Sequence, residues 1–282
     1  MLKREMISMS WAKILEFLDT PMATPESYGT FHLVFFIASI LLGVLLCFIF
    51  KDGKKHAPNI VLVTSILVIL LEVYKLINFG YGNSYETELD YNFQWYAFPF
   101  QFCSTPMYVG LMAGILRKGR IHDSLCAYLA TYAVFAGLCV MIYPGDVFMD
   151  TVGINIQTMI CHGSMLTIGI YLFGSGYVKT EHKTILKALP VFCGAVSIAV
   201  CLNEWAYYSG LLEEHFFNMF YFSRHADPHL PVYSDVQRAL GVDNPLSFII
   251  YIAVFTLAAY LILLIAMGIR SLLNPKKKRI YA

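Results

Sequence analysis

A thiol, a hydroxyl, an amide and two prolines crowd the stretch Phe98-Pro99-Phe100-Gln101-Phe102-Cys103-Ser104-Thr105-Pro106, near the start of an apolar segment. A lipid-buried helix would carry only apolar side chains there. Cys103 is the residue that could act as a nucleophile, and His162 is its candidate partner. A cysteine nucleophile needs a base within hydrogen-bond reach, and a positioned imidazole supplies one. The tetrahedral oxyanion needs donors, which Gln101, Thr105, Asn203 or N–H groups freed around Pro106 could provide. One cysteine and one histidine at equal depth are also compatible with plain packing. A metal held by Cys103, His162 and Glu72 is chemically possible, but no span carries HxxxH or paired histidines, and none is expected. Pro99 suits a helix start. Pro106, one turn deeper, is expected to loosen the backbone ladder, which a membrane protein tolerates only inside its bundle.

The elements that must position these residues belong to a membrane protein. Of 282 residues, 58% are hydrophobic and only 14% charged, with a mean hydropathy of +0.61. That composition excludes an ordinary soluble enzyme. All seven cysteines fall in apolar segments without CxxC spacing, which excludes a disulfide framework and a zinc knuckle. A net charge of +1 gives no sign of a nucleic-acid partner.

A hydrocarbon core of about 30 Å takes roughly 20 apolar residues per helix. Segments near 30–50, 59–79, 96–116, 123–143, 156–178, 185–208 and 246–270 meet that length. The expected fold is therefore all-α, a bundle of about seven transmembrane helices over 30–270 within one domain spanning 1–282. Met1-Leu2-Lys3-Arg4 is not followed by the apolar run of a signal peptide. Trp11, Ile14, Leu15 and Leu18 recur at helical spacing between Lys13, Glu16 and Asp19. Segment 1–28 is thus expected to hold a short interfacial helix, on the membrane surface or over the bundle mouth. The loop 209–245 is too long for a plain connection and rich in Phe216, Phe217, Phe220, Tyr221 and Phe222, so it should fold back onto the bundle.

Lys51, Lys54, Lys55, Arg117, Lys118, Arg120, Lys179, Lys183, Lys187 and Arg270 gather on one side, with Lys276, Lys277, Lys278 and Arg279 in the tail 271–282. The other side has only Lys3, Arg4, Lys13, Arg224 and Arg238. The bias predicts a multi-pass cell-membrane protein with its N-terminus outside and its C-terminus cytoplasmic. The acidic loops Glu86–Asp90 and Asp146–Asp150 then lie outside.

Helix rise places Cys103 about 10 Å, and His162 about 9 Å, inside the outer ends of their spans. Glu72 and Lys75 fall in the outer third of the second span, Asn203 and Glu204 near the outer end of the sixth, and His32 at the outer mouth of the first. Ionisable groups at membrane depth are costly and mark sites by default. Sharing one depth, these residues are expected to form a single polar pocket. Plainer accounts stand beside that one. Glu72 and Lys75, at i, i+3, can neutralise one another. His32 can face interfacial water, and Asn203 and Glu204 can bond neighbouring helices. Cys161 lies on a different face from His162 and reads as packing.

The run Phe98-Pro99-Phe100-Gln101-Phe102-Cys103, then Tyr143-Pro144, Gln157 and His162-Gly163, resembles the YwaF-like integral membrane family, which includes the animal transmembrane protein 164. So does Asn218-Met219-Phe220-Tyr221 with Pro228 or Pro231, followed by Leu240-Gly241 and Pro245. The resemblance covers roughly residues 70–265. It implies a membrane acyltransferase that moves an acyl chain from a phospholipid to a lyso-lipid through a cysteine nucleophile. The matching positions here are Cys103 and His162. Androgen-induced membrane hydrolases are similar, with threonine as nucleophile. Many bacterial members have His-Leu-Cys where this chain has Gln101-Phe102-Cys103, and a tyrosine where it has Met219.

Two readings follow. In the first, the protein transfers or hydrolyses a lipid acyl group, with Cys103 as nucleophile and His162 as base. Gln101 and Asn218 orient the headgroup or oxyanion, and no cofactor is implied. In the second it is a non-enzymatic transporter or lipid sensor, with Glu72, Lys75, Glu204 and His162 as solute or proton ligands. A site displaced from the midplane and the lack of an internal repeat count against a transporter.

Overall fold

The most polar of the long helices is the one the others surround. α6 (Val152–Gly174) has a mean hydropathy of only 1.3, yet 72% of its apolar window is buried. α1 (Thr30–Ile49) has a mean hydropathy of 2.7 with 11% buried, which is the pattern of a helix facing lipid. The computed structural model describes residues 19–81, 91–145, 147–210, 217–226, 233–241 and 244–273. Among them the chain is helical, with one isolated bridge between Pro21 and Thr151 and no strand.

The remaining elements are α2 (Gly53–Tyr81), a 3-10 turn (Trp95–Ala97), α3 (Thr105–Leu116), α4 (Arg120–Ala130) and α5 (Tyr132–Ile142). After α6 come α7 (Lys183–Ser209), a second 3-10 turn (Met219–Tyr221), α8 (Tyr233–Leu240) and α9 (Pro245–Leu273). α6 packs on α1, α2, α4 and α5; α7 packs on α4, and α9 on α5 and α7. Among the described residues six helices are long and apolar enough to cross a membrane, with α4 and α5 together making one of them.

The seventh expected span, 96–116, is a 12-residue helix, α3, behind a non-helical stretch over 98–104. Twelve residues rise only about 18 Å. The prolines explain the difference. Phe98, ahead of Pro99, is extended (φ −49°, ψ 131°), as the clash with a following proline ring requires. Pro106 falls in the first turn of α3, where its missing N–H costs nothing, so it starts the helix instead of loosening one. The span expected at 123–143 bends at Thr131 (φ −122°, ψ −77°), whose hydroxyl donates to the Ala127 carbonyl at 2.7 Å.

Small residues let α6 approach its neighbours closely. A Cβ on Gly163 would land on the Ser39 hydroxyl of α1, and one on Gly137 of α5 would come within 2.6 Å of the His162 carbonyl. An aromatic core lies beside α6, in which Tyr132 stacks on Phe192 at 4.5 Å and Tyr251 on Phe255 at 4.4 Å. Phe102 enters it edge-on to Phe255 at 5.1 Å, which anchors the chain beside Cys103.

At the end away from the basic loops, residues 19–28 strap the bundle. The Asn78 amide donates to Asp19 at 3.0 Å, the Met22 N–H to the Asp150 carbonyl at 2.8 Å, and the Tyr28 hydroxyl to the Ile142 carbonyl at 2.8 Å. His32 does not face water. It is fully buried, accepting at Nδ1 from the Tyr28 N–H (3.0 Å) and donating from Nε2 to the Met141 carbonyl (2.9 Å). The helix expected around Trp11–Leu18, the loop Glu86–Asp90 and the tail beyond 273 lie outside the described residues.

Candidate functional site

α2 and α6 assemble one connected polar chain. On α2, Lys75 donates to Glu72 Oε1 at 2.5 Å, one turn apart on the same face. Glu72 is 5% exposed, and its Oε2 accepts from Gln157 Nε2 of α6 at 3.2 Å. The same Gln157 nitrogen reaches Cys161 Sγ at 3.4 Å, and the Thr158 hydroxyl donates to Gln157 Oε1 at 3.3 Å. His162 completes the chain with Nδ1 at 2.8 Å from the Thr158 carbonyl. A carbonyl only accepts, so Nδ1 carries the proton and Nε2 keeps a free lone pair.

Cys103 enters from the turn ahead of α3 and is half-buried. The Lys75 charge acts on both Cys103 and His162, and Glu72 acts on Cys103. The two side chains are not hydrogen-bonded to each other. In catalytic pairs this contact commonly tightens only with substrate bound. Cys161, expected as packing, lies in the field of Glu72, Lys75 and Cys103 as well.

The turn is organised by Gln101. Its carbonyl accepts from the N–H groups of Ser104 (3.0 Å) and Thr105 (2.9 Å) and from the Thr105 hydroxyl (2.9 Å). The N–H groups of Phe102 and Cys103 have no partner residue among the described ones. The Cys103 N–H lies against its own sulfur.

The other expected site residues form two further groups. Gln101 Nε2 donates to the Asn218 carbonyl (3.0 Å), and its Oε1 accepts from the Phe220 N–H (2.9 Å). Asn203 pairs with Met219 in the same way, accepting its N–H at 2.7 Å and donating to its carbonyl at 3.0 Å. The Tyr251 hydroxyl donates to the Phe220 carbonyl at 2.9 Å. The loop around Asn218 thus folds back onto the bundle, as its composition suggested. Asn218 Oδ1 accepts from the Ser223 N–H at 2.8 Å, while its Nδ2 is buried with no partner. Glu204 instead pairs with Arg224 (2.6 Å) and His225 (3.3 Å) at the surface.

The single pocket expected from equal depth is therefore three neighbouring groups. Helix rise fixes height but not the direction a side chain takes around its axis, and the adjacent Asn203 and Glu204 diverge for that reason. Gln157 entered the sequence reading only as part of a motif, and Thr158 not at all. A helical count places Thr158 one turn before His162 and Gln157 one turn before Cys161. No three His, Cys, Asp or Glu side chains among the described residues are grouped to hold a metal ion.

Neither the curated proteins nor the solved structures contain a match to this chain. A family model does match, over residues 27–269, and takes in Cys103, His162, the α2–α6 network and the loop around Asn218; the chain belongs to the TMEM164 family.

Proposed function

We propose that this protein is a membrane-embedded lipid acyltransferase or acyl hydrolase with Cys103 as nucleophile and His162 as general base. The observation that carries the reading is the hydrogen bond of His162 Nδ1 to the Thr158 carbonyl, which leaves Nε2 as the ring atom able to accept a proton. An enclosed thiol ionises only with a base and a cation at hand. Nε2 takes the thiol proton while Sγ bonds to the ester carbonyl carbon of a phospholipid, and the N–H groups of Phe102 and Cys103 receive the oxyanion. Collapse breaks the ester C–O bond, and the leaving lyso-lipid oxygen takes the proton from His162. A second lyso-lipid hydroxyl, or water, gives its proton to Nε2 and attacks the thioester carbonyl. The new ester or free acid leaves, and the proton returns to sulfur. Asn218 Nδ2 serves the lipid headgroup. On the charge bias, this end of the bundle faces outside.

The test is acyl exchange by the purified full chain in vesicles of phosphatidylcholine with labelled lyso-phosphatidylethanolamine. The expected result is turnover by wild type, none by Cys103→Ala, and a loss of about 10²–10⁴-fold in His162→Ala. A chloroacetamide probe should label Cys103 in wild type and far less in His162→Ala. Turnover that survives Cys103→Ala would overturn Cys103 as the nucleophile, and no turnover by wild type would favour a non-enzymatic lipid-binding role.

A further inference from the structure

At the opposite end of α3 from Cys103, about 18 Å away along the helix, lies a cavity of about 460 Å³. Lys54 at the start of α2, Arg117 and Lys118 after α3, and Lys179 and Lys187 flanking the start of α7 line it, with Asp123 the only acidic lining residue among the described ones. Among the described residues none of these five cations has an ion-pair partner. The lining also includes Gly119, whose φ of 99° opens the first turn of α4. That turn has no side-chain cap, so its N–H groups add their positive end to the cavity. The floor is rigid. His122 is 2% exposed, donates from Nδ1 to the Ala113 carbonyl at 2.9 Å, and accepts at Nε2 from the Tyr177 hydroxyl at 2.6 Å. Held at both ring nitrogens, it fixes the wall between α3, α4 and the α6–α7 loop.

We infer that this cavity binds a phosphomonoester group. Unpaired cations on three separate segments repel one another unless an anion sits between them. A surplus of about four positive charges suits a dianion better than a carboxylate. Arg117 offers the planar fork that phosphate takes in a bidentate way, and the lysines act as point charges around it. The volume exceeds what inorganic phosphate fills and falls in the range of small organic ligands. The group is carried either by a lipid of the adjoining leaflet or by a soluble metabolite. The inference is independent of the chemistry assigned to Cys103.

Binding is measured on the full chain in neutral detergent, by melting and by titration. Dioctanoyl phosphatidic acid serves as the lipid-borne phosphomonoester, glycerol 3-phosphate as its soluble counterpart, and dioctanoyl phosphatidylcholine as the zwitterionic control. Arg117→Gln with Lys187→Gln removes two exposed lining cations, and Lys51→Gln with Lys55→Gln removes two that lie outside the lining. The expected result is saturable binding of phosphatidic acid, weakened at least tenfold by the lining pair only, with unliganded melting unchanged in both variants. Binding of phosphatidic acid alone identifies a lipid headgroup; equal binding of glycerol 3-phosphate identifies a soluble ligand. No binding of either probe, equal weakening by both variants, or equal affinity for phosphatidylcholine overturns the inference.

Discussion

Replacing Gln101 by methionine isolates what its side chain does. Methionine keeps the length and apolar volume, and the Gln101 carbonyl still holds Ser104 and Thr105, so the turn itself is unaltered. What disappears is the clamp on the returning loop, leaving the Phe220 N–H and the Asn218 carbonyl unmet. Phe220 is fully buried and Asn218 is 9% exposed, so water replaces neither bond fully. A buried orphan of this kind costs about 1–3 kcal/mol, or about 2–6 kcal/mol for the two. Phe220 and Tyr221 are both left-handed, at φ 58° and 51°, a conformation that costs a residue with a side chain about 1–3 kcal/mol. A released loop recovers part of that strain, which favours the lower half of the range, about 2–4 kcal/mol.

For a chain of this size the loss corresponds to a fall in melting temperature of roughly 5–15 °C. Intrinsic fluorescence in detergent reports it directly, because Trp95 lies 6.4 Å from Phe217 in the same loop. Asn203→Leu removes the companion clamp on Met219, and because both hold one loop, the double variant should lose less than the sum of the two. A Gln101→Met protein melting within about 2 °C of wild type, or strict additivity, would refute the view that side chains hold this loop down.

Lys75→Met strands the buried Glu72 carboxylate and should cost about 3 kcal/mol, restored in large part by Glu72→Gln in the same chain; a double variant melting no higher than the single contradicts a charge-pair role. Gly163→Ala forces a methyl group onto the Ser39 hydroxyl and should cost about 1–3 kcal/mol. Adding Ser39→Ala should recover most of it, and failure to do so in melting experiments would place the strain elsewhere. Burial pushes the Tyr177 phenol up to about 12, with the charges of Cys126 and Asp123 adding to it. Its protonated form is favoured by folding, so its contribution is complete below pH 10 and lost toward pH 12. Alkaline melting should therefore fall less steeply in Tyr177→Phe than in wild type.

Depth was legible in the sequence and direction was not. Counting helix rise put Cys103 and His162 at one height. The same count grouped Asn203 with Glu204, which the bundle separates, one toward the loop and one toward Arg224 at the surface. Pro106 was visible as a departure from a continuous helix. Whether it starts or interrupts one depends on Phe98 and Pro99 holding the preceding chain extended, a preference for which the same residues can also be read as a first helical turn. The aromatic content of 216–222 signalled the return of the loop. Its left-handed backbone at Phe220 had no such sign, because no glycine marks it.

Those left-handed residues follow from the shortness of α3. Its 12 residues rise only about 18 Å, short of a core of about 30 Å, and the chain ahead of them is the non-helical turn over 98–104. Non-helical backbone at membrane depth persists only where protein covers it, since lipid satisfies no N–H or carbonyl group. The cover is the loop around Phe220, which packs on Phe100 and Phe102 at 6.0 and 5.8 Å. A covering loop brings the same problem with it, because its own backbone is then buried too. Gln101, Asn203 and Tyr251 answer for Asn218, Met219 and Phe220 one bond at a time. The N–H groups of Phe102 and Cys103 are left over, beside the thiol. A bundle built only to pack could have avoided this arrangement with a full-length helix, which would satisfy those two donors and close the turn. The short helix, the strained loop and the open donors are thus one feature, and it is centred on Cys103.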